Sequence, residues 1–293
     1  MLKKLLKHEF RATSKMMLPL FGGALVLVGV TKILLFISGM MWYETQQVPE
    51  NNTILRGIAM GFVMLTTMAL LALLFVILIS SALRFYKNLL GDEGYLMFTL
   101  PVTAGEQIVS KLIVSMCWTL GGILFSIGTM LLLTGGAANY SMVTTVDGAV
   151  TNVTAQTFGE AMQVAAAEMG GGIYWILPLL TVFIIVGMIS QYLMLYTAMA
   201  LGAQWPNNRL PASIGAYVGI GFGLQMFVFF GIIVAGVLEM KTGWLDGTVE
   251  FLSGEPMLVA NGAFCVAIVG SILLSMVFFF VTRWLLSKKL NLA

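Results

Sequence analysis

A chain of 293 residues that is 59% hydrophobic and only 10% charged, with a mean hydropathy of +0.96, lies far from soluble domains, where roughly a quarter of residues carry charge. This excludes a soluble enzyme or binding module and defines an integral membrane protein with room for about six spans of roughly 20–25 residues. The formal net charge of +2 selects no partner, and nothing in it asks for nucleic acid.

The single histidine, His8, rules out a multi-histidine metal site and most histidine-based acid–base schemes. The two cysteines, Cys117 and Cys265, both sit inside apolar runs without close spacing, so buried, inert thiols are expected and no metal ligand set is predicted.

Residues 1–16 alternate cations (Lys3, Lys4, Lys7, Arg11, Lys15) with Leu2, Leu5, Leu6 and Phe10 at helical spacing. The pattern predicts an amphipathic interfacial helix on the lipids of an anionic inner leaflet. The apolar run that follows is too long for a signal peptide and has no small-residue cleavage site, so an uncleaved signal-anchor is expected. Apolar runs then predict spans over 17–41, 58–83, 108–133, 173–201, 212–238 and 257–281. The expected fold is all-α and polytopic, with six transmembrane helices in a single membrane domain over 1–293. A long Gly/Ala/Thr-rich connector separates the third and fourth spans.

The cations set the orientation. Twelve of the fifteen Lys and Arg residues fall on one side if the amino terminus, the 84–107 loop with Lys111, the Arg209 loop and the carboxyl tail share that side. Arg56 and Lys241 lie opposite, and Lys32 lies within a span. Short loops rich in Lys and Arg stay cytoplasmic, so both termini and the 84–107 loop are expected there. Trp42, Trp175, Trp205, Trp244 and Trp284 fall near span ends, as an interfacial aromatic belt requires.

The stretch from Arg84 to Lys111 is the most informative. Its charges are balanced, Arg84, Lys87 and Lys111 against Asp92, Glu93 and Glu106, and between them lie Tyr86, Leu89, Leu90, Tyr95, Leu96, Met97, Phe98 and Leu100. Charge to set register beside an apolar ridge reads as a docking surface. The same residues also suit a short helix resting on lipid headgroups.

Within the spans, Lys32 is the one cation, and an intramembrane charge is a candidate contact for an anionic substrate. Gln191, Tyr192, Tyr196 and Gln225 are polar groups of the fourth and fifth spans, suited to interhelical hydrogen bonds or to a substrate path. Gly215, Gly219 and Gly223 form a smooth stripe that permits close helix packing. Catalytic motifs are absent: Gly105 to Lys111 matches a phosphate loop only at its first glycine and its lysine, and lacks the hydroxyl residue that would meet magnesium.

Arg84-Phe-Tyr-Lys-Asn-Leu-Leu-Gly-Asp-Glu-Gly-Tyr-Leu-Met-Phe-Thr-Leu-Pro-Val, followed by Gln107-Ile-Val-Ser-Lys-Leu, resembles the first cytoplasmic loop of bacterial ABC transporter permeases of the second, exporter-like type. The opening Leu-Leu-Lys-His-Glu-Phe-Arg-Ala-Thr resembles their amino-terminal interfacial helix, and Arg209-Leu-Pro-Ala-Ser-Ile-Gly-Ala-Tyr-Val-Gly the entry to their fifth helix. The resemblance implies a permease subunit, not itself an enzyme, in the bacterial cytoplasmic membrane. Its partners would be a separate ABC ATPase subunit and a second permease copy or paralogue. It implies no cofactor on this chain, ATP and magnesium being used by the ATPase.

A coupling helix in the loop would seat in a groove of that subunit. Tyr86, Leu89, Leu90, Tyr95 and Phe98 would grip, Arg84, Lys87, Asp92 and Glu93 would fix register, and Gly91, Gly94 and Pro101 would shape the turns. The loop Gln204-Trp-Pro-Asn-Asn208 departs from the family's expected basic character.

Three rivals stand beside this reading. A proton- or sodium-coupled carrier needs intramembrane acids, and no predicted span has Asp or Glu in its interior. A membrane-embedded enzyme lacks any constellation of acid, histidine or nucleophile. A non-transporting partner or sensor that anchors an ABC ATPase fits the same loop.

Overall fold

The computed structural model describes residues 2–38, 53–90, 103–133, 140–146, 149–155, 160, 163, 166, 171–205, 208–242 and 256–288. Six helices among them are long and apolar enough to cross a bilayer, so the chain is a multi-pass membrane protein with an all-helical spanning architecture. Their outward surfaces carry residues such as Phe227, 79% exposed, and Met64, 74% exposed. Water would penalise so much bare hydrocarbon; lipid tails do not.

The helices are α1 (Leu2–Ile37), α2 (Thr53–Phe85), α3 (Ala104–Leu133), α4 (Ile176–Gly202), α5 (Arg209–Thr242) and α6 (Pro256–Lys288). A π-turn, Tyr86–Leu90, extends α2, and a 3-10 turn, Gly171–Trp175, leads into α4. The amphipathic segment and the first span are one unbroken helix, with Pro19 inside it. Helix α3 begins four residues before the expected span. Thr103 and Glu106 stand at the spacing of a capping box, and an acid in the first turn suits the helix dipole. The Gly/Ala/Thr-rich connector between α3 and α4 contributes a two-stranded hairpin, β1 (Tyr140–Val146) with β2 (Ala149–Ala155).

The chain divides into two compact units. The first comprises Met1–Arg84, Glu106–Ser141 and Thr154–Thr157, and so holds α1, α2 and most of α3. Its apolar core is Met17, Leu73 and Ile77, with Leu20, Phe21, Leu74, Trp118 and Phe125 packed around them. The hydroxyls of Thr31 and Thr66 lie 2.6 Å apart, a hydrogen bond that ties α1 to α2 where no water competes. A Cβ added to Gly122 would lie 2.9 Å from side-chain carbons of both Leu74 and Ile77, so α3 approaches α2 closely there.

The second unit comprises Phe85–Gly105, Met142–Val153 and Phe158–Ala293. Helix α4 is its centre, packed against both α5 and α6, and its stretch from Tyr192 to Ala198 is buried. Thr197 and Thr282 join α4 to α6 through hydroxyls 2.8 Å apart. At the α4–α5 corner, any Cβ on Gly202 would collide with the backbone of Ser213. Asn261 of α6 donates to the carbonyl of Gly172 at 3.0 Å and fixes the start of α6 beside the 3-10 turn.

The cysteine expectation needs correction. Cys117 and Cys265 are free, but both are exposed rather than buried in a protein core. They lie in membrane-spanning helices, so hydrocarbon surrounds them in either case, and an apolar run does not distinguish lipid from protein as the solvent.

Candidate functional site

A buried cluster of charges lies at the end of the first unit where α1 begins, α2 finishes and α3 begins. Glu9 is 4% exposed and Lys111 is 6% exposed, although both belong to types that are almost never buried unpaired. The Lys111 ammonium donates to Glu9 Oε1 at 2.7 Å, and Arg84 Nη1 lies 3.5 Å from Glu9 Oε2. One carboxylate thus meets a cation from each side of the 84–107 loop, with one oxygen for each.

The contacts below that carboxylate hold it in place. Thr13, one turn along α1, accepts a hydrogen bond from the Trp118 indole at 2.9 Å, and its hydroxyl donates to the Glu9 carbonyl at 2.9 Å. Phe10 stacks on Trp118 with ring centroids 5.1 Å apart and planes 15° apart, and Phe21 flanks the same indole at 6.0 Å. Residues 9, 13 and 17 recur at four-residue spacing, so one stripe of α1 faces inward while Lys3, Lys4, Lys7, Arg11 and Lys15 remain exposed. A recess of about 20 Å³ beside the ion pair, lined also by Ser81, Val114 and Ser115, has room for about one water.

The 2.7 Å pair is the strong element, being charge-assisted and shielded from water. Its net worth is limited by desolvation, but breaking it by removing one partner leaves a buried charge without its counter-ion, a loss of about 3–5 kcal/mol. The Arg84 side chain is 30% exposed and its contact is longer, so solvent screens it and it adds at most about 1 kcal/mol.

The other sequence-predicted residues divide clearly. Tyr86 is half-buried and Lys87 exposed on the π-turn. Leu89 and Leu90, expected to help grip a partner, are buried within the chain at the end of α2. Gly91, Asp92, Glu93, Gly94, Tyr95, Phe98 and Pro101 lie outside the described residues.

Lys32 donates its ammonium to the carbonyl of Leu132, in the last turn of α3, where a cation complements the helix dipole. Gln191 donates to the Tyr217 hydroxyl, joining α4 to α5. Tyr192 and Tyr196 are buried, and Tyr196 stacks on Phe85 with centroids 4.1 Å apart. Gln225 is exposed. Space is open at Gly215, Gly219 and Gly223, so their stripe takes no close contact from the described residues.

No cluster of metal-ligating side chains occurs among the described residues. A second recess, of about 400 Å³ between α4 and α6 and lined by Val186, Leu193, Ile272 and Phe279, has no exposed polar atom to orient a solute. Comparison with protein families, with curated proteins and with solved structures finds no match to this chain.

Proposed function

We propose that the chain is the membrane-spanning permease subunit of an ATP-driven ABC exporter in the bacterial cytoplasmic membrane, with both termini and the 84–107 loop in the cytosol. A separate ATPase subunit would use ATP and magnesium, and a second copy or a paralogue would complete the pore. ATP closing the ATPase dimer would move the docked loops, and the helices rooted in them would swing between inward- and outward-open arrangements. Such coupling requires the ATPase to bind the two permease states with different affinity.

One observation carries the reading beyond resemblance. The two roots of the amphipathic 84–107 loop, marked by Arg84 and Lys111, are drawn to one buried carboxylate, so the loop has a braced base on which force can act. Grip on the ATPase falls to Tyr86, Tyr95 and Phe98, with Lys87, Asp92 and Glu93 setting register. The test is co-purification. Reversing Asp92→Arg together with Glu93→Arg is expected to abolish recovery of the ATPase while the permease still inserts, and undiminished recovery would contradict docking through this loop.

A further inference from the structure

We propose that Glu9 is the positioning residue that closes the base of the 84–107 loop and makes α1 move with it; the inference rests on the docking function proposed above. The chain leaves the first unit after Arg84 and returns at Glu106, so the loop has two roots in that unit. Covalently, those roots belong to α2 and α3 alone. Glu9 comes from a third helix and meets both, Lys111 at 2.7 Å and Arg84 at 3.5 Å.

Further contacts hold α1 to α3 below the ion pair. Thr13 receives the Trp118 indole N–H at 2.9 Å, and Phe21 meets Phe125 edge-on at 5.2 Å between centroids. These contacts make α1 a parallel brace along α3. The carboxylate is where the brace reaches the loop. A displacement at the loop is therefore delivered to α1, α2 and α3 as one body. Without Glu9 it reaches α1 only through the contacts with Trp118 and Phe125, and the first turns of α1, with their exposed basic face, follow less.

The test is hydrogen exchange on the full chain with its co-purified ATPase in lipid nanodiscs, before and after trapping with ATP, magnesium and vanadate. In the wild type, residues 5–15 and 106–116 are expected to change exchange together, by about fivefold or more. In Glu9→Gln the response of 106–116 should persist while that of 5–15 falls by about twofold or more, and the charge-reversed pair Glu9→Lys with Lys111→Glu should restore it. A wild-type response of 5–15 in Glu9→Gln overturns the proposal. Should Glu9→Gln fail to accumulate, the charge-reversed pair decides alone: a silent 5–15 segment overturns the proposal and a responsive one supports it. A wild-type chain that binds no ATPase, or shows no response anywhere, overturns the exporter function instead. The untrapped comparison then judges the brace by itself: exchange at 5–15 faster by about tenfold in Glu9→Gln supports it, and unchanged exchange overturns it.

Discussion

Truncating Glu9 leaves the ammonium of Lys111 in a nearly dry site with its main counter-charge gone, whereas truncating Arg84 removes a partner that water already screens. Glu9→Ala should therefore cost about 3–5 kcal/mol, and Arg84→Ala at most about 1 kcal/mol. Replacing both members of the buried pair, Glu9→Leu with Lys111→Met, should cost clearly less than Glu9→Ala, because no charge is stranded. Thermal unfolding in detergent would check the order; equal losses for Glu9→Ala and Arg84→Ala would contradict it. Lys32 is a milder case: its bond to the Leu132 carbonyl caps α3, so Lys32→Met should cost about 0.5–1.5 kcal/mol in the same measurement. Sequence singled out Lys32 because a cation in an apolar run stands out. Glu9 escaped notice because five nearby cations make its segment look solvated, and only the inward stripe of Thr13 and Met17 shows otherwise. Trp118 was missed for a related reason: it is the indole remote from the span ends, where an aromatic belt gives no reason to look.

Helix existence was legible in the sequence, and helix partners were not. Hydropathy marks where hydrocarbon surrounds the backbone, but lipid and a neighbouring helix look alike to it, as Cys117, Cys265 and the stripe of Gly215, Gly219 and Gly223 show. Close approach is tightest at Gly202, against the Ser213 backbone, which cannot yield as the flexible Leu74 and Ile77 side chains beside Gly122 would. Gly202→Val is accordingly expected to destabilise by about 1–3 kcal/mol or more, through overpacking at the α4–α5 corner. Gly219→Val, into open space, should change the stability of the isolated chain by no more than about 0.5 kcal/mol. Equal effects in a detergent unfolding assay would refute the distinction. The hairpin was legible but passed over: β1 and β2 are rich in Val and Thr and flank Asp147-Gly148, a strong two-residue turn signal. The unbroken α1 runs the amphipathic segment straight into the first span. Its 36 residues rise about 54 Å, well beyond a hydrocarbon core of about 30 Å, so its basic end stands with the ends of α2 and α3 rather than apart from them.

In the first unit α1 and α3 run parallel with α2 reversed, and α4 and α6 run parallel in the second with α5 reversed. Each unit seals its own polar groups: Thr31 with Thr66 and Lys32 with Leu132 in one, Thr197 with Thr282 and Gln191 with Tyr217 in the other. Most candidate substrate-path residues are thus spent on holding helices together; Gln191 and Gln225 lie at exposed positions, and of these Gln191 is bonded to Tyr217. Under the proposed function, the buried ion pair at the roots of the 84–107 loop is where the first unit would be pushed. The sidedness of that loop is the most direct test. Lys87→Cys, in a chain whose Cys117 and Cys265 are replaced by serine, would be treated with a membrane-impermeant maleimide. Labelling in inverted vesicles but not in intact spheroplasts is the predicted result; labelling from outside intact spheroplasts would contradict the account.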